Sequence, residues 1–159
     1  MTLNIVKKLM VAGLLLTLAA CATQNELGQD ASSILGADAK PGTIAEFTHI
    51  VGDTVLFETN QTSMNDAGKA LLDRQYAWLV QYGVSEIKID GHADERGTRQ
   101  YNIALGAKRA SSVKKYFVSL GYSGTIKTLS FGKERPVSLC DNISCWSQNR
   151  RAVTVVVTK

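Results

Sequence analysis

The chain has 159 residues, 45% of them hydrophobic and 20% charged, with a formal net charge of +4. That length builds one domain with a core of its own, not two. Residues 1–21 hold two lysines and no acid, so the rest carries only +2; with no basic stripe interleaved with aromatics, nothing points to nucleic acid or another polyanion.

The N-terminus differs in character from the rest of the chain. Lys7 and Lys8 precede the apolar run LMVAGLLLTLAA, which ends at Cys21. A membrane-spanning helix needs about 20 apolar residues, so the run is too short to span and has the form of a secretory signal. Its end, Leu18-Ala19-Ala20-Cys21, resembles the bacterial lipobox. The resemblance implies a signal peptide over residues 1–20 and acylation of Cys21, which becomes the mature N-terminus. Acyl chains contribute about 0.8 kcal/mol per buried CH₂, so several of them anchor stably. Ala22 rather than Asp after the cysteine favours the outer membrane by the same resemblance.

Residues 21–43 comprise that lipidated N-terminus and a tether poor in large apolar side chains, with Pro41-Gly42 near its end. Some twenty residues reach on the order of 70 Å when extended. The domain proper is expected over 44–159. Thr54–Phe57 is β-rich. Ser63, with Asp66 three residues on, approximates a capping box. The helix it opens continues through Tyr82, with Ala67, Leu71, Trp78, Leu79 and Tyr82 as its apolar face, and stops at Gly83. Glu86–Asp90 alternates polar and apolar and predicts a strand.

A second helix is predicted from Thr98 to Leu120. Ile103, Gly106, Ala110, Val113, Phe117 and Leu120 form its stripe, and Gly121 ends it. Strands are predicted at Thr125–Phe131 and Ala152–Thr158, separated by a polar loop. The order β-α-β-α-β-β predicts an α+β fold, a mixed sheet with both long helices covering one face and right-handed crossovers where strands run parallel. Within the loop, CDNISC holds Cys140 and Cys145. In an oxidising compartment a disulfide is the default for this pair, and half a zinc site is the rival. No second Cys/His pair is available to complete a metal centre.

The stretch from Gly91 to Ala110, GHADERGTRQYNIALGAKRA, joins the second strand to the second helix. Asn102 and Arg109 are seven residues apart, close to two helical turns, and so point within roughly 20° of each other. They fall some 60° from the centre of the apolar stripe, on its rim, where a polar group is half-buried and reaches a ligand. Asp94 sits in the loop before the helix, near its unpaired N–H groups. One carboxylate, one guanidinium fork and a positive helix end suit a small zwitterion bearing an ammonium and a carboxylate.

This stretch closely resembles the signature of OmpA-like domains, which bind peptidoglycan without covalent linkage. The likeness covers about 105 residues, from near Asp53 to Thr158, and includes the terminal NRRAVTV. With the lipobox and tether, the whole resembles the lipid-anchored branch of that family, the peptidoglycan-associated lipoproteins of the Tol-Pal system. The resemblance implies that Asp94 and Arg109 clamp diaminopimelate. It implies further that Asn102 and Leu105 line the pocket and that Phe57, Glu58 and Asn60 close its other side. It also implies anchorage in the outer membrane with the domain facing the periplasm, TolB and other Tol proteins as partners, and no cofactor. Glu58 departs from the family pattern, where Asp is usual, and Lys108 stands where a second Arg is common.

His92 is expected to hydrogen-bond locally at the strand end, and Asn149 and Arg150 to brace the last strand against the site. Two rivals remain. Catalysis would draw on His92, Asp94 and Glu95, but no nucleophile is identifiable and the other histidine, His49, lies near the tether. A protein-interaction scaffold with a vestigial pocket would instead present a surface to a TolB-type partner. Sequence does not separate that scaffold from the wall binder.

Overall fold

Along Glu86–His92 the side chains of Ile87 and Ile89 turn to one side and Lys88 to the other, and this strand, β2, sits inside a four-stranded sheet. The computed structural model describes residues 39–158, all within the compact unit Leu35–Lys159. The expected signal segment, Cys21 and the tether up to residue 38 lie outside the described residues. The other strands are β1 (Thr54–Leu56), β3 (Thr125–Gly132) and β4 (Arg151–Thr158). Their spatial order is β1-β4-β2-β3, with β4 antiparallel to both its neighbours and β2 parallel to β3. The last strand in sequence therefore lies between the first two.

The long helices are α1 (Asp66–Gln81) and α2 (Arg99–Ser119), and the fold is α+β. Register shows that one sheet face builds the core. Ile87 lies opposite Ile126 and Val156, and Val55 opposite Ala152. All of these are buried with Leu72 and Leu79 of α1 and Ala110, Val113 and Phe117 of α2. The other face carries ion pairs, Lys88 with Asp90 at 3.0 Å and Lys127 with Glu86.

Two glycines set how closely α2 meets the sheet. A Cβ on Gly91 of β2 would lie 1.9 Å from the Gly106 carbonyl oxygen, and one on Gly106 would lie 2.8 Å from that of Gly91. Helix backbone therefore rests on strand backbone, which only glycine permits at this separation. One residue later the β2–β3 register shifts, pairing His92 with Gly132, and the chain turns toward the candidate site.

The structure corrects three expectations about the elements. The first helix begins at Asn65, not Ser63. Asn65 has extended backbone and its side chain accepts from the Gly68 N–H at 2.8 Å, satisfying one of the free donors of the first turn. Its buried face is Gly68, Leu72, Gln75, Trp78 and Leu79, whereas Ala67 is exposed and Leu71 half-buried. Gln75 holds a core position because its Nε2 donates to the Gly52 carbonyl at 2.7 Å. Finally, the polar loop contains a helix, α3 (Ile143–Asn149), capped by Asn142.

A further helical segment precedes β1. Thr43 caps the turn Ile44–Glu46, which runs into a π-helical stretch, Phe47–Gly52. Phe47 drops into the core against Trp78, their ring centroids 4.9 Å apart. Glu46 Oε2 accepts from Trp78 Nε1 at 2.7 Å and from the Gly42 N–H at 2.6 Å.

Candidate functional site

The chain leaves β2 through Ala93–Gly97 and enters α2 at Thr98, whose side chain accepts from the Tyr101 N–H. This loop is fastened from several sides. Ala93 N–H donates to the Gly132 carbonyl at 2.8 Å. Lys133 Nζ donates to the carbonyls of Glu95 and Gly97 at 3.0 and 2.7 Å. From α2, Asn102 Nδ2 donates to the Arg96 carbonyl at 2.8 Å. Backbone groups that a loop would leave to water are thus tied down, and the loop holds a fixed shape.

Against it opens a cavity of about 250 Å³. Asp94, Arg96 and Gly97 line it from the loop, Tyr101, Asn102 and Leu105 from α2, and Thr59 and Asn60 from the chain beyond β1. Asn60 takes a positive φ of 57°, and its Oδ1 accepts from the Tyr101 hydroxyl at 3.3 Å across the mouth.

The charge is concentrated on Asp94, a carboxylate only 8% exposed. Its Oδ1 accepts from both the backbone N–H and Nε of Arg96 at 3.2 Å. Its Oδ2 accepts from Arg96 NH2 at 2.7 Å and more weakly from Arg150 NH1 at 3.4 Å. Burial on its own would raise the Asp94 pKa, but the hydrogen bonds from Arg96 and Arg150 outweigh it and hold the carboxyl below its usual range. Asp94 is therefore an anion at neutral pH, and the guanidinium in front of it, Arg96, is partly open to solvent.

Arg109 is fully buried beneath this arrangement. Its Nε donates to the Gln61 carbonyl at 3.0 Å, NH1 to that of His92 at 2.8 Å and NH2 to that of Glu58 at 3.3 Å. The guanidinium carbon lies 5.3 Å from the centre of the Phe57 ring. Burial pulls its pKa down to about 10, against the opposing pull of Asp94, and it stays charged at pH 7. One cation thereby ties three chain segments together: the exit of β1, the end of β2 and α2. Arg150 does the same from β4's side, its Nε donating to the Phe57 carbonyl at 2.9 Å.

The residues singled out from sequence therefore fall into two layers. Asp94, Asn102, Leu105 and Asn60 line the cavity. Phe57 and Arg109 are buried, and Glu58 supplies a carbonyl to Arg109 while the residue itself is exposed. The half-buried rim expected for Asn102 and Arg109 is corrected: they are 1% and 0% exposed, because residues 58–61 fold over Arg109 and the 96–97 loop closes on Asn102. His92 is also corrected. Its Nδ1 is buried with no hydrogen-bond partner, and the ring stacks on Phe131 at 5.4 Å instead. Asn149 bonds the Val137 and Ser138 backbone, so it braces the loop before α3. Sequence reasoning passes over Arg96 and Tyr101, whereas Thr59 falls within the Phe57–Asn60 stretch expected to close the pocket; the arginine inside the GHADERG signature is the available signal.

Cys140 and Cys145 are joined, with their Cα atoms 5.6 Å apart. Among the described residues no group of three or more His, Cys, Asp or Glu could hold a metal ion.

Comparison with known proteins matches residues 56–150 to the OmpA family. The peptidoglycan-associated lipoprotein of Rhizobium meliloti is 54% identical over 144 residues, 89% of this chain and 82% of that one. The protein of that name from Agrobacterium fabrum is 48% identical over 147 residues, covering 90% and 83%. Among solved structures, the peptidoglycan-associated lipoprotein of Burkholderia pseudomallei superposes with a TM-score of 0.61 at 39% identity, covering 65% of this chain and 88% of that one.

Proposed function

The chain belongs to the OmpA family, and on that premise we propose that it binds peptidoglycan without covalent attachment and holds it to the outer membrane. The observation that carries the reading is the buried, anionic Asp94 at the wall of a small cavity, faced by a solvent-accessible guanidinium. The ligand that fits is a zwitterion, the diaminopimelate of a wall peptide. Its ammonium replaces Arg96 at Asp94, and Arg96, released, turns to its carboxylate. Arg109, expected from the sequence to take that carboxylate, is instead committed to the carbonyls of Glu58, Gln61 and His92 and adds positive potential from beneath. Charges exchange partners and none is left buried alone, which keeps the desolvation cost low.

Asn102 and Leu105 supply the polar and apolar walls for the rest of the side chain. Such a site binds and releases; it carries out no bond-breaking step. Single-site affinity need not be high, because many copies facing one polymer raise the effective concentration. Acylation at Cys21 provides the membrane end, and the chain between it and Lys40, where the first turn of the domain starts, provides the reach. The domain then faces the periplasm, where the Tol-Pal system and TolB are the partners this family resemblance implies.

The test is co-sedimentation of the chain from residue 22 with purified peptidoglycan sacculi, comparing wild type with Asp94→Ala. Circular dichroism checks that both are folded. Wild type is expected in the pellet and the folded variant in the supernatant. Equal sedimentation refutes the role of Asp94. A wild type that stays in solution refutes wall binding and leaves a periplasmic protein partner as the reading.

A further inference from the structure

Arg96 has two anchors, and the exchange proposed above gives up one of them, the 2.7 Å contact to Asp94. The second is Trp146 on α3. Its ring centroid lies 4.3 Å from the Arg96 guanidinium carbon, and its indole Nε1 donates to the Glu95 carboxylate at 3.0 Å. We propose that Trp146 is a positioning residue for the cavity. Its face holds the Arg96 guanidinium and its edge holds Glu95, so Arg96 stays at the mouth while Asp94 changes partner. This inference rests on the binding reading above.

The mounting of Trp146 supports it. A seven-residue helix does not persist in water by itself, yet α3 is held at both ends. Asn142 caps its start, and the Cys140–Cys145 bridge ties its first turn to the preceding chain. At the other end Asn149 accepts from the Val137 and Ser138 N–H groups and donates to the Ser138 carbonyl at 2.8 Å. The loop is closed on itself and delivers one large side chain to the cavity rim. The backbone of residues 95–97 is fixed separately, by Lys133 and Asn102. The contribution of Trp146 therefore falls on the side chains of Arg96 and Glu95, not on the course of the loop.

Once released from Asp94, a guanidinium with no second anchor samples many rotamers, and a ligand that needs one of them must bear the entropy of selecting it. The indole removes that cost in advance. The cation–π contact at this half-exposed position corresponds by itself to about three- to tenfold in affinity.

The experiment uses the full chain in detergent micelles as wild type, Trp146→Ala and Trp146→Phe. The probe is a soluble muropeptide containing diaminopimelate, titrated by calorimetry. ¹⁵N relaxation of the Arg96 Nε–H is recorded without ligand on an added Asp94→Ala background, which removes the first anchor and leaves the indole to hold the guanidinium. Trp146→Ala is expected to bind three- to tenfold more weakly and to show a mobile Arg96 Nε–H. Trp146→Phe, which keeps an aromatic face, stays within about twofold of wild type. If Trp146→Ala loses its fold, Trp146→Leu fills the space without a π face and carries the same expectation. Affinity within twofold of wild type, or unchanged Arg96 relaxation, in the folded Ala or Leu variant overturns the proposal while leaving wall binding intact. A wild type that does not bind the muropeptide refutes the binding reading and this inference with it.

Discussion

Replacing Arg109 by methionine separates scaffold from clamp. Methionine keeps a flexible stem of similar length but has no donor, so the carbonyls of Glu58, Gln61 and His92 lose their partner in a buried place. Hydrogen bonds from a charged donor are worth about 1.5–3 kcal/mol each, so three of them come to roughly 4–9 kcal/mol. Against that stands the burial of the charge itself. Burial that draws the guanidinium pKa down to about 10 corresponds to roughly 3 kcal/mol that methionine avoids. The net loss is about 1–6 kcal/mol, against the 5–15 kcal/mol typical of a domain, so the variant is expected to fold at room temperature but to melt early. Urea denaturation followed by circular dichroism reads the loss directly. Sacculus binding by the same folded protein then reports on the ligand. If stability falls by less than about 1 kcal/mol while binding disappears, the reasoning is refuted: the guanidinium would then serve the ligand and not the three carbonyls.

Other expectations arise from burial and contact. Burial, with Arg151 and Arg135 adding to it, pulls the His92 pKa from 6.5 to about 4. The unfolded chain thus binds more protons between those values, and stability is full above pH 6.5 and falls by roughly 3 kcal/mol as pH drops through 4. His92→Phe should flatten that part of a urea-stability profile; an identical slope in both proteins excludes His92 as its source. Replacing both Cys140 and Cys145 by serine should cost about 2 kcal/mol in the chain-entropy estimate, seen as a lower melting temperature. An unchanged melt would show that the caps alone hold α3. Gly106→Ala puts a Cβ 2.4 Å from Ser130 Oγ and 2.8 Å from the Gly91 carbonyl oxygen, so it should destabilise by about 1–3 kcal/mol. No change in a denaturant midpoint would mean that α2 lifts off β2 freely.

The elements legible in the sequence are those whose period the core enforces. Ile87 and Ile89 alternate because one sheet face is buried, and Ala110, Val113 and Phe117 keep helical spacing because α2 lies along that face. The phase of α1 is obscured because two of its core-facing positions, Gly68 and Gln75, are not apolar; a hydrogen bond to Gly52 makes the second acceptable. The Phe47–Gly52 segment is rich in β-branched residues, and its helicity comes from Phe47 docking on Trp78, a contact no local pattern carries. α3 is too short to show a period and depends on its caps and bridge. At the site, helical geometry puts Asn102 and Arg109 on one side, but their depth depends on the chain at 58–61 and 96–97 that closes over them. Coverage by a distant segment has no signature in the helix's own residues.

Gly42 sits near the start of the described residues, packed against Tyr82 just beyond the end of α1, with its N–H held by Glu46. That is the end of the molecule at which β2 starts, and the cavity opens where β2 finishes. A pull on the chain at Gly42, resisted by a ligand in the cavity, is therefore directed along the strands. Tension along that axis loads the rungs between β2, β3 and β4 in shear, many at once, instead of peeling them apart singly. The two hydrogen bonds to Glu46, at 2.6 and 2.7 Å, lie between that point and the core, so they meet the load before the sheet or the cavity does.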